Sequence, residues 1–95
     1  MAMIRRVELS RLAQKQLKRT PRHIVESLAA WVDDVETQGL EEAMKVPGYH
    51  DEPLHGERQG QRSIRLSRSY RAIYVVKGEG VVQFVSIGEI TKHAY

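Results

Sequence analysis

The sequence predicts an α+β domain with element order βααβββ, in which an N-terminal helical hairpin packs on one face of a twisted antiparallel sheet. Three observations carry this: helical spacing of apolar residues between Leu9 and Val35, a β-branched and aromatic run from residue 63 to 87, and Pro/Gly punctuation between them. Residues 3–8, Met-Ile-Arg-Arg-Val-Glu, read as a first short strand, and Ser10 as the N-cap of the helix that follows. Leu9, Leu12, Ala13 and Leu17 form that helix's apolar stripe. Arg11, Lys15, Lys18 and Arg19 make its other face basic. Thr20-Pro21 reads as a cap followed by proline at the first helical position. It opens a second helix with Ile24, Val25, Leu28, Ala29, Val32 and Val35 inward and Trp31 at the edge of the stripe, closed by Gly39. After a helical turn ending at Met44, residues 40–60 read as ordered loop, with Pro47-Gly48, Pro53, Gly56 and Gly60. Three strands then follow at 63–67, 71–77 and 81–87, with turns at Ser67–Tyr70 and Gly78-Glu79-Gly80.

The chain has 95 residues, which fits a single domain over 1–95. A domain of this size buries only about 60–65% of the surface its unfolded chain exposes, so a covering partner is expected. With no cysteine, disulfides, thiolate metal sites and cysteine nucleophiles are excluded. No segment reads as a signal peptide or a membrane span, and the expected compartment is the cytoplasm. Net charge is +3, unevenly spread: residues 1–22 carry +6, residues 23–57 carry −8 and residues 58–95 carry +5. Two basic blocks around an acidic middle favour a polyanion such as RNA, although solvated helix and loop faces would give the same tally.

Candidate chemistry centres on the strands and the tail. Arg65 alternates with Ile64 and Leu66 and so faces away from the core, while Arg71 opens the next strand. A guanidinium held by a strand can bind a phosphate bidentately and offset the extra negative charge of a phosphorane-like transition state, or it can simply pair with a loop acid. The tail ends in His93-Ala94-Tyr95, an imidazole and a phenol suited to proton transfer and to stacking on a base. His50, Asp51, Glu52 and His55 in the loop add acid/base groups. They lack a matching ligand cluster elsewhere, so no metal is expected. Nucleophile elbow, Walker loop and dinucleotide fingerprint are all absent from the sequence.

The ordered set Tyr49-His50-Asp51-Glu52-Pro53-Leu54-His55-Gly56, Gly60, Ser63-Ile64-Arg65, Tyr70-Arg71-Ala72-Ile73-Tyr74 and Lys92-His93-Ala94-Tyr95 resembles the RelE/ParE superfamily of type II toxins, most nearly its YoeB and HigB branches. The resemblance spans nearly the whole chain. It implies an mRNA interferase that acts with the translating ribosome, cutting by attack of a ribose 2′-oxygen on the adjacent phosphate without metal or other cofactor. By the same likeness Glu52 matches the general base, Arg71 the phosphate-stabilising arginine, Arg65 a second sheet arginine, and His93 with Tyr95 the terminal acid/base pair. Ala94 departs from the YoeB-like tail, where histidine and tyrosine adjoin. In HigB-like relatives a loop histidine contributes, which makes His50 and His55 alternative bases. RNA and ribosome contacts fall on Arg11, Lys15, Lys18, Arg19, Arg62, Arg68 and Lys92. A cognate antitoxin is the implied protein partner. Two other readings remain open at this point: a ParE-like gyrase poison without a ribonuclease site, against which the His-Ala-Tyr tail argues, and a non-enzymatic RNA-binding module.

Overall fold

The structure, a computed structural model, describes residues 3–92. Strand β1 (Arg6–Leu9) leads into helix α1 (Arg11–Leu17), the long helix α2 (Arg22–Gln38) and the short α3 (Leu40–Met44). After a 3-10 turn at Pro47–Tyr49 come β2 (Glu52–Pro53), a second 3-10 turn at Gly56–Arg58, and the strands β3 (Arg62–Arg65), β4 (Tyr70–Glu79) and β5 (Val82–Lys92). The expected α+β architecture is thus present, with two additions. Glu52–Pro53 pairs antiparallel with Arg62–Ser63, so the loop contributes an edge strand. The sheet order is β1-β5-β4-β3-β2, and β1 joins β5 in parallel, making the sheet mixed rather than wholly antiparallel.

Each helix ends where its chemistry requires. Ser10 caps α1 as expected, its hydroxyl accepting from the Ala13 amide at 3.0 Å. The same hydroxyl donates to the Gly88 carbonyl on β5 at 2.6 Å. Thr20 does not cap α2; its hydroxyl donates back to the Gln16 carbonyl, and Pro21 itself takes the cap position. Gly39 closes α2 with φ +92, a left-handed-side conformation that calls for glycine.

All three helices lie against one face of the sheet. Ala13 from α1, Ile24, Leu28, Trp31 and Val35 from α2, and Leu40 and Ala43 from α3 meet Ile64, Leu66, Ala72, Tyr74, Val85, Ile87 and Ile90. Trp31 is not at the edge of the stripe, as expected, but fully buried, its ring 5.1 Å from that of Tyr74; with Ile24, Leu28 and Val35 it makes a regular stripe at i, i+4, i+7 and i+11.

Past the end of β1, the outer edge of β5 would expose ladder groups. Helix α1 covers them: besides the Ser10–Gly88 bond, the Gln16 Oε1 accepts from the Ile90 amide at 2.6 Å. The register between β4 and β5 slips at Ile73/Tyr74, with Ile73 opposite Glu89 and Tyr74 opposite Ile87. Gly88 is the extra residue of this bulge. Strict alternation from Val85 and Ile87 would send Glu89 into the core; the bulge instead turns Glu89 to the uncovered face and returns Ile90 to the core.

Candidate active site

The uncovered face of the sheet is built of short rows running across the strands. One row joins Glu52, Ser63, Ile73 and Glu89, and the next joins Arg65, Arg71 and Thr91. A hollow of about 530 Å³ lies over them, lined by Glu52, Leu54, Arg58, Ser63, Arg71, Ile73, Glu89 and Thr91. Arg71 crosses between the rows. Its Nη1 donates to the Ser63 hydroxyl at 3.2 Å and stands 3.7 Å from the Glu52 Oε1. Arg71 is largely enclosed, whereas the Glu52 side chain is 60% exposed, so the cation is fixed and the carboxylate is free to meet a ligand. Arg65 is the direct cross-strand neighbour of Arg71 on the same face. The Arg71 guanidinium turns toward the neighbouring row of Ser63 and Glu52, so the two cations are neighbours by register while only Arg71 reaches into the hollow.

A second, buried cluster anchors the segment that carries Glu52. Asp51 points the opposite way, to the helix-covered side, and its carboxylate is 0% exposed. It accepts from the Arg62 Nε at 2.7 Å and from the Tyr74 hydroxyl at 2.5 Å. Burial pushes the Tyr74 phenol far above its usual range, and the Asp51 bond and charge add to this. For Arg62, burial alone would lower the pKa; the bond and charge of Asp51 outweigh it and the net shift is upward. Tyr49, at the start of the same loop, donates to the Asp34 carboxylate of α2 at 2.6 Å, and burial together with Asp34 pushes it up to about 12. These bonds tie the loop to the core at Tyr49 and Asp51, so the next residue, Glu52, emerges on the open face at a defined place.

A phenol that keeps its proton in the fold but would lose it near 10.0 when unfolded contributes stability that is whole below pH 10 and is lost as pH rises toward the folded value. Melting temperature is therefore expected to be level from pH 8 to about 10 and to fall above it, more gently in Tyr49→Phe. A decline equally steep in that variant would show that the Tyr49–Asp34 bond is not its source.

The structure brings Glu52 and Arg71 together; Arg65 is the cross-strand neighbour of Arg71 but does not line the hollow. His50 and His55 do not line the hollow; both are exposed, His50 in a left-handed conformation at φ 44. His93 and Tyr95 lie outside the described residues, but Thr91, two positions before His93, ends the row of Arg65 and Arg71. Arg62, expected as an RNA contact, is instead the partner of buried Asp51, because its strand position sets it opposite Tyr74. Arg11, Lys15, Lys18, Arg19 and Arg68 are exposed, as is Lys92, whose ammonium lies 6.0 Å from the centre of the Tyr70 ring. Sequence reasoning missed Arg58 and Glu89, joined at 2.6 Å across the hollow. Glu89 was legible only through the glycine before it, as the mark of a bulge.

A family model described as the ParE toxin of the type II toxin-antitoxin system, parDE, matches residues 7–90. The chain belongs to this family of type II toxins, within the RelE/ParE superfamily. Among solved structures it is similar to a YoeB/ParE toxin from Agrobacterium tumefaciens, with 20% identity, a TM-score of 0.67, and 94% of this chain and 99% of that one covered. It is also similar to YafQ from E. coli strain BL21(DE3), at 16% identity and a TM-score of 0.70 over 90% of each chain. A third likeness is to the toxin-antitoxin complex RelBE2 from Mycobacterium tuberculosis, at 19% identity and a TM-score of 0.67 over 97% of this chain and 100% of that one. No curated protein sequence matches the chain.

Proposed function

We propose that this toxin is an endoribonuclease that cuts mRNA on the ribosome. The observation that carries the reading is the pairing of an exposed carboxylate, Glu52, with a fixed guanidinium, Arg71, beside a second arginine, Arg65, on the face the helices leave bare. In this reading Glu52 takes the proton of a ribose 2′-hydroxyl and the 2′-oxygen attacks the adjacent phosphorus. Arg71 and Arg65 offset the charge that builds on the phosphoryl oxygens. The bond to the 5′-oxygen breaks, that oxygen receives a proton from an acid for which His93 is the candidate, and a 2′,3′-cyclic phosphate remains. No metal enters this scheme. Glu52 is preferred over His50 and His55 because it alone of the three lines the hollow. Tyr95 is the candidate for stacking on a base or assisting the acid. The exposed cations of α1, Arg11, Lys15, Lys18 and Arg19, with Arg68 and Lys92, supply phosphate contacts to mRNA and ribosomal RNA. A cognate antitoxin is proposed as the inhibiting partner, in keeping with the RelBE2 complex, and the cytoplasm as the place of action.

The match to a ParE model favours a second reading, in which the same fold inhibits DNA gyrase and cuts no RNA. Induction of wild type and of His93→Ala in growing bacteria without antitoxin, with mapping of new mRNA 5′ ends, separates the two. Cuts confined to translated frames and lost in His93→Ala are the expected result. Growth arrest with intact mRNA and gyrase-linked DNA breaks would replace the nuclease reading by the second.

A further inference from the structure

The bare face of the sheet carries another hollow, of about 360 Å³, for which the proposed cleavage step has no use. Its walls include Ser10, Gln61, Val75, Lys77 and Ser86. Arg58, Ile73 and Glu89 belong to the walls of both hollows and so form the partition between them. Arg58 sits on the 3-10 turn that joins β2 to β3, at one side of the sheet, and Glu89 on β5, with β3 and β4 between. Their 2.6 Å contact therefore straps the loop across the sheet, and Ile73 beneath it is only 7% exposed although it faces away from the helices. Arg58 also donates to the Gln61 Oε1 at 3.1 Å.

A carboxylate in the wall of a groove for a polyanion repels it unless a cation holds that carboxylate, as Arg58 does here. The Arg58 side chain is 51% exposed, and ion pairs so open to water hold weakly. A phosphate can replace the Glu89 carboxylate as the acceptor for Arg58 with no loss in the number of hydrogen bonds. Beyond the partition the exposed ammonium of Lys77 offers a further phosphate contact.

We propose that the second hollow is a subsite for single-stranded RNA flanking the cleaved bond, with Arg58 and Lys77 as its phosphate ligands and the Arg58–Glu89 pair as a partition that the strand opens. This rests on RNA being the substrate and extends that reading to how the strand lies. Opening joins the two hollows into one groove running along β4 from Arg71 toward Lys77.

The test is fluorescence anisotropy over a range of salt with single-stranded 2′-deoxy probes, which lack the attacking hydroxyl and stay uncut: a dinucleotide and a strand of about eight nucleotides. For the longer strand, Arg58→Ala and Lys77→Ala are each expected to lower the slope of log affinity against log salt by about 0.7, one phosphate contact. Glu89→Gln is expected to strengthen its binding about 2- to 5-fold by releasing Arg58. Dinucleotide affinity stays unchanged in Lys77→Ala. Lys77 is exposed on the surface, so its variant keeps the test informative should changes at the partition disturb the fold. An unaltered slope in Lys77→Ala, or no gain in Glu89→Gln, would overturn the subsite. Wild type that cuts RNA while all variants bind the long probe alike refutes the subsite alone. Wild type that cuts no RNA but binds the long probe through Arg58 and Lys77 refutes the nuclease and leaves the strand-binding groove standing.

Discussion

Replacing Arg71 by alanine is expected to lower the rate constant for RNA cleavage by about 10²- to 10³-fold, the usual cost of removing one fixed donor to a developing oxyanion. The expectation follows from how firmly the group is held. Its strand pairs on both sides, to Arg65 and Thr91, and its guanidinium is braced by Ser63 and faces Glu52. Such a donor need not reorganise as charge moves onto the phosphoryl oxygens. Arg71→Lys keeps the charge but loses the planar fork, so only partial recovery is expected. Single-turnover cleavage, with folding followed by circular dichroism, reads the effect. A folded Arg71→Ala protein that cuts at the wild-type rate would remove Arg71 from the mechanism.

Asp51→Ala is expected to cost about 3–5 kcal/mol of stability, because it leaves the part-buried Arg62 guanidinium and the Tyr74 hydroxyl without their shared acceptor. Against roughly 5–14 kcal/mol for a domain of this size that is a large share, and the melting temperature should fall by more than about 12 °C. Activity should fail with it, since the segment bearing Glu52 loses its anchor. Asp51→Asn keeps one acceptor oxygen and should lose less. Urea denaturation measures both; a loss below about 1 kcal/mol for Asp51→Ala would mean that water replaces the carboxylate and that the cluster is not what holds the loop.

Much of this was legible in the sequence because it is local. The spacing of Ile24, Leu28 and Val35 announces α2, Ser10 announces a cap, and the alternation around Arg65 tells which way that side chain faces. What stayed hidden depends on pairing between distant segments. Nothing near Met3–Leu9 says that this strand lies parallel beside β5, since a parallel partner leaves no turn between the two. Trp31, seven positions after Ile24 and three after Leu28, falls on the same helical stripe, so its burial was legible in the spacing and the expectation of an edge position misread it. Alternation sets Arg62, three positions before Arg65, on the opposite face of the strand, but nothing local says that a loop carboxylate, Asp51, waits there to hold it. Glu89 reaches the bare face through a single inserted glycine, which shifts every later residue of β5 to the opposite side.

The pairing of β1 with β5 also bears on the order in which the molecule can form. Ser10 and Gly88, bonded in the fold, stand 78 residues apart in the chain. At about 5–20 residues per second, synthesis delivers the second roughly 4–16 s after the first. Until then Val7 and Leu9 have no ladder partners in Val85 and Ile87, and the row of Glu52, Ser63 and Ile73 has no Glu89 to complete it. A nascent chain thus lacks its β1 ladder and the completed row of the bare face until β5 emerges, so the face assembles only seconds after its first strand is made.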